Sequence, residues 1–206
     1  MTNKKTERPH IGWSLLLWWL AASTIGFGTA AVFHFPGDFR NGEAILAFAW
    51  APALFGGILG AVSGVPAGFL QWLILRRYLV GASRWILATA LGVGLTHGLS
   101  DSIPYTIALE VTILVSGVFI GAIQWLYLRR QVTQASWWIL VSLISWYAAW
   151  AIGLAILESS GLYSLSWRPG LDIQTHGTFS FVFGSVYGLI TGVVIFVFLP
   201  RRKVEA

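Results

Sequence analysis

Six blocks of mostly apolar residues, each close to the length of a helix that crosses a bilayer, dominate this chain. An α-helix rises about 1.5 Å per residue, so roughly 20 apolar residues cover the ~30 Å of membrane hydrocarbon. Inside that layer every backbone N–H and C=O must find its partner within the protein, which a helix does by itself. The blocks lie near 11–31, 54–75, 85–102, 106–128, 136–158 and 178–199. They predict an all-α, polytopic membrane helix bundle with six transmembrane helices, a single transmembrane domain over 1–206 and no soluble domain. Composition points the same way, with 56% apolar and 10% charged residues, where a soluble domain carries about a quarter charged. Lys4, Lys5 and Arg8 precede the first block as they would in a signal peptide. Its apolar run of about 21 residues, however, is longer than the 7–15 of a signal core, so it reads as a membrane helix.

Charge then orients the bundle. With the N-terminus in the cytoplasm, Lys4, Lys5, Arg8, Arg76, Arg77, Arg84, Arg129, Arg130, Arg201, Arg202 and Lys203 all fall inside, and only Arg40 and Arg168 fall outside. Basic residues near helix ends resist translocation, so this bias places both termini on the cytoplasmic side of a bacterial inner membrane. Asp38, Glu43, Asp101, Glu110, Glu158 and Asp172 collect on the opposite face. The net charge of +5 comes from short basic clusters beside apolar blocks. That is a topology signal, and it argues against nucleic acid as a partner. The chain has no cysteine, which removes disulfides, thiolate metal ligands and a cysteine nucleophile together.

The sequence also repeats. Gly64-Val-Pro-Ala-Gly68-Phe-Leu-Gln71-Trp72-Leu-Ile-Leu75-Arg76-Arg77 recurs 53 residues later as Gly117-Val-Phe-Ile-Gly121-Ala-Ile-Gln124-Trp125-Leu-Tyr-Leu128-Arg129-Arg130. The match continues through Ala82-Ser83 and Trp85-Ile86-Leu87 to Ala135-Ser136 and Trp138-Ile139-Leu140, with 14 of 24 aligned positions identical. A weaker third copy runs from Gly184 through Gly188 to Thr191, with threonine in the place of glutamine. Three tandem helical hairpins follow, near 11–77, 83–130 and 136–202, with pseudo-threefold symmetry about the membrane normal. This GxxxGxxQWLxLRR segment resembles repeats in small uncharacterised bacterial inner-membrane proteins. The resemblance implies a six-helix membrane fold and carries no activity, cofactor or catalytic residue.

Glycines four apart (Gly56, Gly60, Gly64 and Gly68, then Gly184, Gly188 and Gly192) allow close helix approach, either within the bundle or across a dimer interface. Gln71, Gln124 and Thr191 form an interhelical polar layer, either as hydrogen-bond glue or as a ring that holds a polar ligand. Trp72, Trp85, Trp125, Trp137 and Trp138, close to helix ends, predict an interfacial aromatic belt. Trp18, Trp19, Trp146 and Trp150 lie deeper, where they either pack or line a site for a flat lipophilic ligand. Pro66 predicts a bend in the second helix.

One ionisable constellation stands out. A hairpin closed near Pro104 sets His97 opposite Glu110, with Asp101 one turn beyond His97 and His176 at similar depth in the third repeat. Ionisable groups in a membrane are costly unless paired. His97, Asp101, Glu110 and His176 are therefore candidates for a structural pair, for proton or ion handling, for a divalent metal of unspecified identity, or for acid–base chemistry. No metalloprotease, nucleophile-elbow or nucleotide-binding signature is present, and no cofactor is identified. Two classes of function remain ahead of an outward-facing metal-dependent hydrolase. One is a non-enzymatic binder or transporter of a lipophilic small molecule, proton or ion, and the other is a subunit or scaffold of a larger membrane complex. The partners implied are the lipid bilayer, a lipophilic ligand or the subunits of such a complex.

Overall fold

A computed structural model describes residues 12–29, 51–102, 109–162 and 172–198. The chain is all-helical, in the order α1 (Trp13–Gly28), α2 (Ala51–Leu75), α3 (Arg84–Ser102), α4 (Leu109–Leu128), α5 (Trp137–Ser159) and α6 (Asp172–Phe198). Among the described residues there is no strand. Four stretches are long and apolar enough to cross a membrane: Ala53–Leu75, Val111–Leu128, Trp137–Ser159 and Gln174–Val197. The other two helices fall short for different reasons. α1 has 16 residues, about 24 Å of helix. α3 has 19, but Thr89, Thr96, His97, Ser100, Asp101 and Ser102 dilute its apolar character.

One expected boundary shifts. α6 starts at Asp172 rather than near 178, because the polar turn Asp172–His176 can be helical without being lipid-soluble. Pro66 is accommodated inside α2, which continues unbroken to Leu75. Proline removes one helical N–H donor, and the 25-residue helix carries enough other bonds to run through it.

The helices alternate in direction and form a ring. Each backbone packs against its two chain neighbours, and α6 closes on α1. Small residues set the closest approaches. A Cβ added to Gly68 would meet the Ile86 Cα at 3.0 Å, and one on Gly121 would meet the Ile139 Cα at 3.0 Å. On α6, a Cβ at Gly184 would meet the Ser23 carbonyl of α1 at 2.5 Å. The stripe over Gly60, Gly64 and Gly68 thus packs inside the bundle, against His97, Val93 and Ile86 of α3. Water has little to do with this association, because lipid tails are as apolar as the helix faces. Close van der Waals packing is what small residues add.

Large side chains fill the centre. At the end where α2 and α4 finish, Trp19, Trp85 and Trp138 are fully buried, with ring centroids 6.0 Å apart for Trp19–Trp85 and 5.6 Å for Trp85–Trp138. The connections after α2 and α4 fold inward over them, burying Leu79 and Ala82 in one and Val132 and Ala135 in the other. Toward the opposite end Phe27 and Trp146 pack edge to face against Phe183 and Tyr187, which stack on each other, the closest pair being Trp146–Phe183 at 4.7 Å. Aromatic pairs in this geometry add about 0.5–1.5 kcal/mol each beyond the area they bury.

Candidate functional site

The polar residues of the interior join helices in a recurring pattern. The Trp85 indole Nε1 of α3 donates to Gln71 Oε1 of α2 at 2.8 Å, and Gln71 Nε2 donates to Ser23 Oγ of α1 at 3.0 Å. One repeat later Trp138 Nε1 of α5 donates to Gln124 Oε1 of α4 at 2.8 Å, and Gln124 Nε2 donates to Thr89 Oγ1 of α3 at 3.1 Å. In each the indole and the amide are 14 residues apart in sequence. Each glutamine therefore ties three successive helices together. An amide suits this post because it offers both an acceptor and donors from one short side chain.

The third set is different. Trp19 Nε1 of α1 donates to Thr191 Oγ1 of α6 at 3.0 Å, and the Thr191 hydroxyl in turn donates a hydrogen bond to the Tyr187 carbonyl at 2.6 Å. Threonine is too short to reach the preceding helix, α5, as the glutamines reach theirs. Ser142 of α5, which stands 53 positions after Thr89, is left as the one buried side-chain polar atom without a hydrogen bond among the described residues. The Tyr187 ring occupies the neighbourhood, its hydroxyl facing Ser142 without a well-formed bond to it and reaching Gln124 Oε1 at a long 3.5 Å.

The ionisable constellation lies only partly within the described residues. His97 lies on α3 against Gly60 of α2, where a Cβ on the glycine would meet the histidine Cβ at 2.6 Å. Asp101 falls in the last turn of α3 and Glu110 in the first turn of α4, but their side chains lie outside the described residues, as does Pro104. His176 is half-buried in the first turns of α6. Among the described residues no three His, Asp or Glu side chains come together as a metal site.

The tryptophans sort differently from the expectation at helix ends. Trp85 and Trp138 are fully buried within the protein rather than presented at its surface, whereas Trp137 is exposed. Of the deeper four, Trp19 belongs to the core under the inward-folded connections and Trp146 to the other core, while Trp18 is exposed. They do not converge on one ligand site. The partners Ser23, Thr89 and Tyr187 escape a reading of the repeat alone. The signal for two of them is a hydroxyl residue on the helix face opposite each glutamine.

On the outside, α3 and α4 frame an open groove of about 350 Å³. Arg84 and Arg130 stand at one end, and Leu87, Leu91, Ile123 and Leu126 line its length. Gln131 joins the basic end, its Oε1 accepting the Val80 N–H at 2.8 Å. The neighbouring arginines are engaged differently, Arg76 lying 5.2 Å over the Trp72 ring and Arg129 5.1 Å over the Trp125 ring. No family model, curated protein or solved structure matches this chain.

Proposed function

We propose that all six helices cross the membrane as three tandem hairpins around an approximate threefold axis, and that the protein is a non-enzymatic binder of a lipophilic molecule on its outer surface. The shorter α1 and the more polar α3 support spanning through their packing, since each is flanked on both sides by long apolar helices. The recurring Trp–Gln bonds, together with the 53-residue repeat, support the threefold arrangement. The distribution of Lys and Arg supports cytoplasmic termini in a bacterial inner membrane.

The observation that carries the functional reading is the state of the interior. The glutamines and indoles are hydrogen-bonded to partners within the protein, and the aromatic clusters pack the centre of the ring. Moving an ion through that centre means breaking these bonds in a medium where replacements are scarce. A ligand is met more cheaply on the outside, and the α3–α4 groove falls within the ~300–1,000 Å³ of small-molecule sites. The second reading, a subunit of a larger membrane complex, is favoured by Trp18, 67% exposed within α1, where a partner helix can pack.

Native mass spectrometry of the protein extracted gently from its own membranes tests both. A small molecule retained above the 22.6 kDa chain is the expected result. Retained protein chains without a small molecule transfer the function to the subunit reading.

A further inference from the structure

We infer that the α3–α4 groove is a binding site for one anionic phospholipid, with its phosphate at Arg84 and Arg130 and an acyl chain along the leucines. This rests on the reading of the protein as an outward-facing binder and names the class of its ligand. Three observations carry it.

The first is shape. Arg84 and Leu91 of α3, with Ile123 of α4 and Arg130 just beyond its end, bracket the groove. In each pair the residues are seven apart, so the basic end and the apolar far end are separated by about 10 Å of helix. A charged head at one end with a tail continuing beyond it is the outline of a membrane lipid. Leu87, Leu91 and Leu126 are 64%, 56% and 49% exposed, so the tail lies against them from the side without having to enter the bundle.

The second is charge. The connections after α2 and α4, and the halves of α3 and α4 that line the groove, contain no Asp or Glu. Among the described residues no carboxylate accompanies Arg84 or Arg130. Two guanidinium groups that share one groove call for an anion, and the planar fork of arginine matches the oxygens of a phosphodiester.

The third is that the repeat does not account for it. If the indole bonds are used to match the sets, the positions of Arg84 and Arg130 are filled by Trp18 and Arg77 between α1 and α2, and by Trp137 and Val197 between α5 and α6. One interface has a single cation there and the other has none. The paired arginines are an addition to the shared architecture at one of three similar places.

The test is native mass spectrometry of the full chain from nanodiscs of phosphatidylcholine with one quarter phosphatidylglycerol. We expect one phosphatidylglycerol retained per chain in preference to phosphatidylcholine. The R84Q/R130Q protein should bind it about thirtyfold more weakly, taking each cation near an anionic headgroup as worth about fivefold. Arg76→Gln, at the same end but outside the groove, should change binding by less than about twofold, and millimolar glycerol phosphate should not displace the lipid. Equal retention of the two lipids by the natural protein overturns the inference, and needs no variant that might misfold. So does displacement by glycerol phosphate, or loss from Arg76→Gln as large as from the pair. A different, neutral molecule retained without phosphatidylglycerol ends this inference but leaves the outward-facing binder standing. A chain that retains nothing from either preparation removes both.

Discussion

Two of the three polar sets in the interior are complete and one is not, and the contrast shows what the glutamines do. Around Gln71 and Gln124 an indole gives to the amide oxygen and the amide nitrogen gives to a hydroxyl on the preceding helix, so three helices are pinned at one level. Around Thr191 the indole bond survives and the onward bond does not. The hydroxyl that should receive it, Ser142 Oγ, is buried without a partner. The shared element is therefore the tryptophan bond, and the glutamine's second bond is an addition that a third of the ring does without. Tyr187 takes up the space, its hydroxyl turned toward Gln124 and Ser142 and its ring packed against Phe27 at 5.3 Å and Trp146 at 6.0 Å.

If the tryptophans are the shared element, truncating them should be the most damaging change. Trp85→Ala and Trp138→Ala remove fully buried rings and should each lower the unfolding free energy by about 3–5 kcal/mol. Equilibrium unfolding in mixed micelles measures this. A loss below about 1 kcal/mol for both would show that the centre closes up without them. A smaller effect separates the complete sets from the incomplete one. Gln124→Leu orphans the Trp138 indole and the Thr89 hydroxyl together, and we expect it to cost about 1–2 kcal/mol. Thr191→Val orphans only the Trp19 indole and should cost about 0.6 kcal/mol. Equal costs would mean that the onward bond contributes nothing.

The smallest change is the sharpest. Ser23→Ala leaves the Gln71 amide without its acceptor and should destabilise by about 1 kcal/mol. Ser142→Ala removes a hydroxyl that has no partner, so stability should stay within about 0.5 kcal/mol or rise. A Ser142→Ala loss matching that of Ser23→Ala would mean that Ser142 is bonded after all, and the asymmetry between the sets would disappear.

Much of this architecture is legible in the chain. Blocks of apolar residues mark the helices, and the recurrence of Gly68, Gln71 and Trp85 as Gly121, Gln124 and Trp138 marks equivalent positions. The depth of the tryptophans was not legible. Trp85 and Trp138 stand at the start of their helices, which in an ordinary bundle is the membrane surface. Here the segments before them turn inward, burying Leu79, Ala82, Val132 and Ala135. A helix end in sequence is then not an exposed position in the fold. The groove was also illegible, because Arg84 and Arg130 lie 46 residues apart and meet only when α3 and α4 pack side by side. His97 shows the same dependence on packing, since its place against Gly60 of α2 exists only once two helices are in contact.

What the sequence by itself determined is the class of solvent and the local conformation. Long apolar stretches with few charges must be helical in lipid, because no other single segment satisfies its own backbone there. What only the tertiary structure decided is partnership. Which hydroxyl receives each glutamine, how α6 meets α1 to close the ring, and which arginines share a groove all depend on helices far apart in the chain. Hydropathy is nearly uniform around such helices, so no amphipathic face announces the neighbour. The choice falls instead to steric fit at glycines and to a few hydrogen bonds, both of which exist only once two helices are in contact.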